Sequence, residues 1–276
     1  MDHYREGTGF QRHVRACNTA DLPGARCRFF VRDLAVGWVP PRIAAALEGT
    51  ASVIRTADRV TLTDASALPA IARDLSERGL YRWRGEAFDV RATPDGPALT
   101  QIDRGAIPSF GIQATGVHVN GLVRRGDTLH LWVARRAMDK RLDPGKLDHI
   151  VAGGVPAGMS PSETLVKEAG EEATIPPALA AQAVPVGLMS YVMERPEGLR
   201  RDRLHCYDLM LPEDFTPEAA DGEVAGFELW PIARAFEAVR ETDDFKFNVN
   251  LVLIDLFIRL GMIAGPEAAS LRAGLS

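Results

Sequence analysis

The sequence predicts an α/β chain in two units, a small α+β unit followed by a mixed sheet packed between helices. Three observations carry that prediction. Length is the first: 276 residues against roughly 150 per domain gives close to two domains. The second is a series of short strand and helix signals separated by glycine, proline and polar turns. The third is a strand, a glycine-rich loop and a helix in immediate succession over 149–175, the order in which α/β units are built. Composition agrees, since 46% hydrophobic and 25% charged residues is ordinary globular usage and excludes a disordered tail, a collagen-like fibre or a coiled coil.

Pro40–Pro41 open a helix near 42–48, because proline suits a first helical turn. Ser52–Arg55 and Val60–Leu62 read as strands around a polar turn at 56–59. Ser66 is the expected cap of a helix over 68–78 that Gly79 ends. Phe88–Arg91 and Ala98–Ile102 read as a hairpin across Pro94–Asp95–Gly96. No catalytic cluster lies in this stretch. Gly105, Pro108 and Gly111 then interrupt the pattern, which sets units of 1–108 and 109–276. Beyond the boundary Thr115–Val123 and Thr128–Ala134 pair across Gly126–Asp127. A short strand at His149–Val151, strands near Val184–Met193, Leu204–Leu211 and Val224–Pro231, and helices at Pro231–Glu237 and Asn248–Leu260 complete the second unit. The last helix is apolar nearly all round, which suits a core element.

With 32 basic and 37 acidic residues the net charge is −5, a poor balance for nucleic-acid or membrane-surface binding. Met1–Val14 is charged and has no apolar stretch of the kind a signal peptide needs. The apolar run Val249–Ile263 is broken by Asp255 and Arg259 and falls short of the ~20 residues that span a bilayer. Cys17, Cys27 and Cys206 cannot all pair; a Cys17–Cys27 bridge is conceivable, reduced thiols are favoured, and no C-x-x-C pattern occurs. The expectation is a cytoplasmic protein acting on small molecules.

The chemistry lies in Gly153–Ile175, GGVPAGMSPSETLVKEAGEEATI. Ser160, Pro161 and Glu163 give a capping-box pattern at a helix start. Glu168, Glu171 and Glu172 then project along neighbouring lines of one helix face, where like charges repel by a few tenths of a kcal/mol per pair. Lys167, four residues before Glu171, offsets part of this, and a hard divalent cation taking oxygen ligands would offset more. On charge pattern alone the cluster equally describes a solvated acidic face. Gly153, Gly154 and Gly158 shift that balance, because they let backbone approach the carboxylates closely. No G-x-x-x-x-G-K-[ST] element occurs, which excludes a P-loop NTPase.

This segment resembles the Nudix hydrolase signature, G-x5-E-x7-R-E-U-x-E-E-x-G-U with U aliphatic. Gly153 matches the first glycine, Glu168 the R-E glutamate, Glu171 and Glu172 the E-E pair, and Ile175 the final aliphatic. Met159 stands where the first glutamate is expected, Lys167 replaces arginine, Thr174 replaces the last glycine, and Ala169 is small for an aliphatic position. The runs FGIQATGVHVNGLV and LWVARRAMDKRLDPGKLDHIVAGGVPAG resemble a Nudix subfamily that carries an N-terminal accessory domain. That subfamily is related to the Nudix module fused to thiamine pyrophosphokinase in some fungi. In that group the glycine loop reads GG-[LV]-P-x-G-[LM]-[ST], so methionine at 159 is a subgroup trait.

The resemblance implies a Nudix α/β/α sandwich with a mixed sheet, behind the small α+β domain. It implies Mg²⁺ or Mn²⁺ as cofactor and a small-molecule diphosphate as substrate. For this group the implied reaction removes a phosphate from thiamine diphosphate or its oxidised analogues. Hydrolysis of a nucleoside diphosphate derivative and a non-catalytic Nudix-fold binding module stand as alternatives. The implied metal ligands are Glu168, Glu171, Glu172 and the Gly153 carbonyl; Glu171, Glu172 and Glu223 are the implied catalytic groups. Arg135, Arg136 and Lys140, beside the glycine-rich turn, are candidate phosphate holders, with solvated surface charge as the plainer reading. Asp148 is placed to bond a pyrimidine amine or to cap a turn, and Tyr191 is a stacking candidate. His118 and His130, which alternate with apolar residues and lack ligand spacing, are read as structural. A monomer or homodimer is expected, with no nucleic-acid or membrane partner.

Overall fold

The alternation at 52–62 is the edge of a larger sheet. The computed structural model describes residues 9–140, 142–220 and 222–275; residues 1–8 of the charged opening segment, and Asp221 ahead of Glu223, lie outside them. Strands β1 (Cys27–Val31), β2 (Leu34–Val39), β3 (Val53–Arg55) and β4 (Arg59–Leu62) form a sheet in the order β2-β1-β4-β3. Phe29 and Val31 alternate inward along β1. Helix α2 (Pro41–Ala46) and helix α3 (Leu68–Glu77) accompany this sheet. Leu68, Ile71, Ala72 and Leu75 make one buried face of α3, at the spacing that puts side chains on a single stripe. The expected cap differs: a 3₁₀ turn at Ala65–Ala67 precedes α3, and Asp64 accepts from the backbone N–H and hydroxyl of Ser66. Asp64 takes the cap because the helical path begins earlier, at the 3₁₀ turn, whose first orphan donor is the Ser66 N–H. The hairpin forms as β5 (Ala87–Val90) and β6 (Thr100–Asp103), and the four-residue α4 (Ile107–Phe110) ends at Gly111, in the left-handed region.

The second sheet is built around β7 (Gln113–Arg125), a 13-residue strand. β12 (Gly198–Met210) runs parallel along one side of it, with β11 (Val184–Arg195) antiparallel beyond. The other side of β7 is shared. Residues 116–119 pair with β10 (Val151–Gly154), whereas residues 121–125 pair with β8 (Thr128–Arg136). β9 (Leu147–Asp148) and β13 (Val224–Pro231) extend from β8. The strand expected at 149–151 is therefore two short strands with His149 and Ile150 between them, and the sheet forks at that point.

Helices cover both faces. α5 (Pro161–Ala173), followed by the short α6 (Pro177–Ala180), packs over Val117, Val119 and Trp132. α7 (Ile232–Glu241), α8 (Val249–Arg259) and α9 (Gly265–Ala273) lie on the opposite face, over Leu122, Leu131 and Val133. α8 is buried along most of its length; each large apolar side chain removed from water there stabilises the fold by roughly 1.5–3 kcal/mol. Helix α1 (Gln11–Cys17), expected within the leading unit, packs instead in this second core through Phe10, Val14 and Cys17. Arg12 holds it there, donating to the carbonyls of Val239 and Thr242 at 3.0 and 2.6 Å. All three cysteines are free and buried. No helix among the described residues is long and apolar enough to cross a membrane.

Candidate active site

The carboxylate helix starts as its sequence demands. Ser160 accepts from the Glu163 backbone N–H, and the Glu163 side chain accepts from Ser160 N–H at 2.8 Å. This places Glu168, Glu171 and Glu172 beside β10 in three different settings. Glu168 is half-buried directly against Gly153: a Cβ at that glycine would lie 2.6 Å from the Glu168 carboxyl carbon. Only glycine allows this approach. Burial, helped by the Glu171 and Glu86 charges, outweighs Lys167 and raises the Glu168 pKa above its ordinary value. Glu172 is buried and accepts the Ala152 N–H at 2.9 Å. Glu171 is exposed and paired with Lys167, which also reaches Glu168 at 3.2 Å.

Beside Glu172 a narrow cleft of about 10 Å³ opens where the sheet forks, lined among others by Arg136, Lys140, Asp148, His149 and Glu223. Lys140 pairs with Glu223 across its mouth. Its floor is a buried polar knot. Asp148 takes Arg136 at 2.8 Å, Lys246 at 3.4 Å and the His149 N–H at 2.9 Å. Burial opposes its ionised form, yet Lys246 and Arg136 outweigh burial and hold Asp148 well below the usual carboxylate range. Burial lowers the Lys246 pKa in turn.

His118 and His149 meet Nδ1 to Nδ1 at 2.9 Å, so one proton lies between them. Asn248 Nδ2 donates to His118 Nε2 at 3.4 Å. His118 therefore carries its proton on Nδ1 and donates it to His149, which leaves the His149 proton on Nε2. No described residue accepts that proton. Burial keeps both rings neutral: His118 falls well below its ordinary value, and His149 to about 4.

His118, Asp148 and His149 bring ligand-capable atoms within 4.8 Å of one another. Both Asp148 oxygens already accept from donors within the knot, the rings bond each other, and Lys246 and Arg136 bring positive charge. The trio is a hydrogen-bonded network. The donors at α5, carboxylates and a glycine carbonyl, are the hard oxygen set that suits a divalent cation, and the Gly153–Glu168 approach is a cradle that a Cβ would fill.

Comparison with known proteins identifies the family. The NUDIX domain family matches residues 114–249, and a family described as a domain of unknown function, DUF4743, matches residues 9–114. Nudix hydrolase 24, chloroplastic, of Arabidopsis thaliana is 37% identical over 95% of this chain and 75% of its own length. This chain belongs to the Nudix hydrolases. Nudix hydrolase 20, chloroplastic, of the same plant is 34% identical over the same shares. Among solved structures, the Nudix domain of Shewanella oneidensis NrtR, complexed with ADP-ribose, shares 14% identity at a TM-score of 0.44 and covers 55% of this chain and 91% of that one. That likeness is one of fold alone.

Nudix hydrolases use divalent metals and act on small-molecule diphosphates, and the departures from their signature have visible consequences here. Thr174, at the place of the last signature glycine, ends α5 at φ +52°, which costs a β-branched residue roughly 1–2 kcal/mol. Its hydroxyl accepts the Glu218 N–H at 3.2 Å and docks the loop between β12 and β13, an offset glycine lacks. Lys167 spans Glu168 and Glu171 as a point charge where arginine would offer a planar fork.

The substrate-binding expectations need correction. Tyr191 is 1% exposed, with its ring edge-on to Phe247 and its hydroxyl on Asp202; it faces the α8 core and offers no stacking surface. Arg135 alternates away from the cleft, bonds the Gly145 carbonyl and lines a groove on the opposite face of the sheet. Arg136 does reach the cleft, where it bonds Asp148 and the Leu142 and Asp143 carbonyls. Asp148 is committed to Arg136, Lys246 and the His149 N–H, so its first role is to hold this network together. Lys246, His149 and Asn248 were not anticipated. The available signal was polar residues at inward strand positions, His118 and Asn120 between buried valines and leucines.

Proposed function

We propose that this Nudix hydrolase uses Mg²⁺ or Mn²⁺ to remove the terminal phosphate from thiamine diphosphate or its oxidised analogues. The observation that carries the metal reading is the contact between Gly153 and Glu168, with Glu172 one turn further along α5. Glu168, Glu171, Glu172 and the Gly153 carbonyl would hold the cation. Bound there, it would neutralise diphosphate oxygens and lower the pKa of a water.

The remaining work falls to the chain's own groups. Water adds to the terminal phosphorus, and the bridging oxygen departs with its electron pair on the thiamine monophosphate. The proton lost by water passes to a carboxylate, and inorganic phosphate is the second product. Glu223 is the favoured acceptor, because it lines the same cleft as Glu172, with Lys140 beside it; Glu171 is the alternative. Lys140 would hold a phosphate oxygen.

The thiamine assignment rests on the resemblance of the 110–159 region to the thiamine-pyrophosphokinase-fused Nudix group. Phosphate release from thiamine diphosphate, its oxidised forms and ADP-ribose, each with Mg²⁺ and with Mn²⁺, tests it. Fastest turnover on an oxidised thiamine diphosphate is the expected result; preference for the nucleotide would overturn the substrate and leave the hydrolase intact. The free thiols support a reducing compartment, which we take to be the cytoplasm; cell fractionation tests this.

A further inference from the structure

We infer that the accessory domain sets the catalytic loop, with Asp89 as a positioning residue. This rests on reading the glycine loop 153–160 as the substrate and metal loop of the Nudix unit. That loop lacks the glutamate its signature carries, with Met159 in its place, and β5 of the accessory domain runs along it. Ala157 N–H donates to the Ala87 carbonyl at 2.8 Å. Gly158 N–H donates to the Asp89 carboxylate at 3.2 Å. Between these two bonds the Phe88 ring packs on Gly154, where a Cβ would lie 2.6 Å from the ring. Asp89 is itself held: Arg91 donates to the same oxygen at 2.7 Å, and the Asp89 side chain is 11% exposed.

Three consecutive residues of one domain thus grip the loop of the other by backbone, ring and carboxylate. Gly154 is the neighbour of Gly153, so the grip fixes the peptide against which Glu168 rests. A carboxylate from outside the Nudix unit is supplied to a loop that has lost its own.

The test compares Asp89→Ala and Asp89→Asn with Asp95→Ala. Asp95 pairs with Arg203 and ties the same two domains away from the loop, so it controls for docking. Asp89→Ala is expected to lower kcat at least tenfold with KM changed less than threefold. It should weaken Mn²⁺ binding several-fold and speed amide hydrogen exchange at 154–160. Asp89→Asn, which keeps an acceptor for Gly158, is expected to recover part of the loss, and Asp95→Ala to stay near wild type. The inference is overturned if Asp89→Ala keeps kcat, Mn²⁺ affinity and loop exchange within twofold, or if Asp95→Ala loses as much. Should the wild type hydrolyse none of the diphosphates offered, the substrate reading fails, while Mn²⁺ affinity and loop exchange still decide the role of Asp89.

Discussion

The carboxylate face of α5 and the knot under the sheet fork meet at one cleft, through Glu172 and Asp148, and are stabilised in opposite ways. On α5, Lys167 and Glu171 are 42% and 51% exposed, so water screens their attraction to a fraction of a kcal/mol. In the knot, Asp148, Arg136 and Lys246 are 7%, 15% and 12% exposed, and desolvation makes every unmatched donor or charge expensive. The first region can exchange one counter-charge for another, as binding a cation and a diphosphate requires. The second cannot change its charge without disturbing the fold. Ligand-responsive and ligand-indifferent charge thus sit side by side, with Glu172 on the border between them.

That border gives the largest expected effect. Glu172→Gln should lower kcat by about a thousandfold, the several kcal/mol that metal-assisted charge stabilisation supplies, while thermal unfolding moves little. A collapse in Tm of equal severity would move Glu172 into the knot and break the division. Asp148→Asn tests the other side. Leaving Arg136 and Lys246 buried without their carboxylate should cost about 3–5 kcal/mol in urea unfolding, and a loss under about 1 kcal/mol would show that water already reaches the knot.

Acid sharpens the same contrast. His149 is held at about 4 by burial, below the value near 6.5 of an unfolded chain. The unfolded state then binds the extra proton, so this contribution is complete above pH 6.5 and fades as pH falls toward 4. Over that window the fold should lose roughly 3 kcal/mol from this one ring, and unfolding of His149→Gln measured from pH 7.5 to 4.5 should follow a flatter curve. The smallest effect belongs to the exposed pair: Lys167→Ala should shift stability by only a few tenths of a kcal/mol, with any larger change appearing in the metal dependence of turnover.

Legibility in the sequence divides along the same line. α5 was readable because everything that defines it is local: the Ser160–Glu163 cap, the apolar stripe and the glutamate spacing lie within one segment. The knot draws on residues 118, 136, 148, 149, 246 and 248, brought together by the forked pairing of β7 and by the backbone bonds of Leu147 to 244 and 246. Alternation with apolar residues reads His118 as an inward strand residue, and nothing beside it in sequence names His149 as its partner. Tyr191 departs from its expected stacking role because a strand tyrosine shows its ring in the sequence but not which face of the sheet it takes. In the leading unit β1 and β2 went unread, since their tight connection at Arg32–Asp33 has no glycine and places Arg32 at φ +57°, a conformation that arginine seldom signals.

Helix α1 has a consequence for how the whole chain can move and be cut. Because Phe10, Val14 and Cys17 belong to the catalytic core, the accessory domain is spliced into that body, leaving it after residue 17 and rejoining it at β7. A unit attached at two points has no single hinge on which to swing. A fragment begun at residue 109 would leave an open socket between α7 and α8, and large-to-small vacancies of that kind cost about 2–5 kcal/mol for each lost side chain. To separate the catalytic body from its insert, one would have to join α1 to β7 by a short bridge.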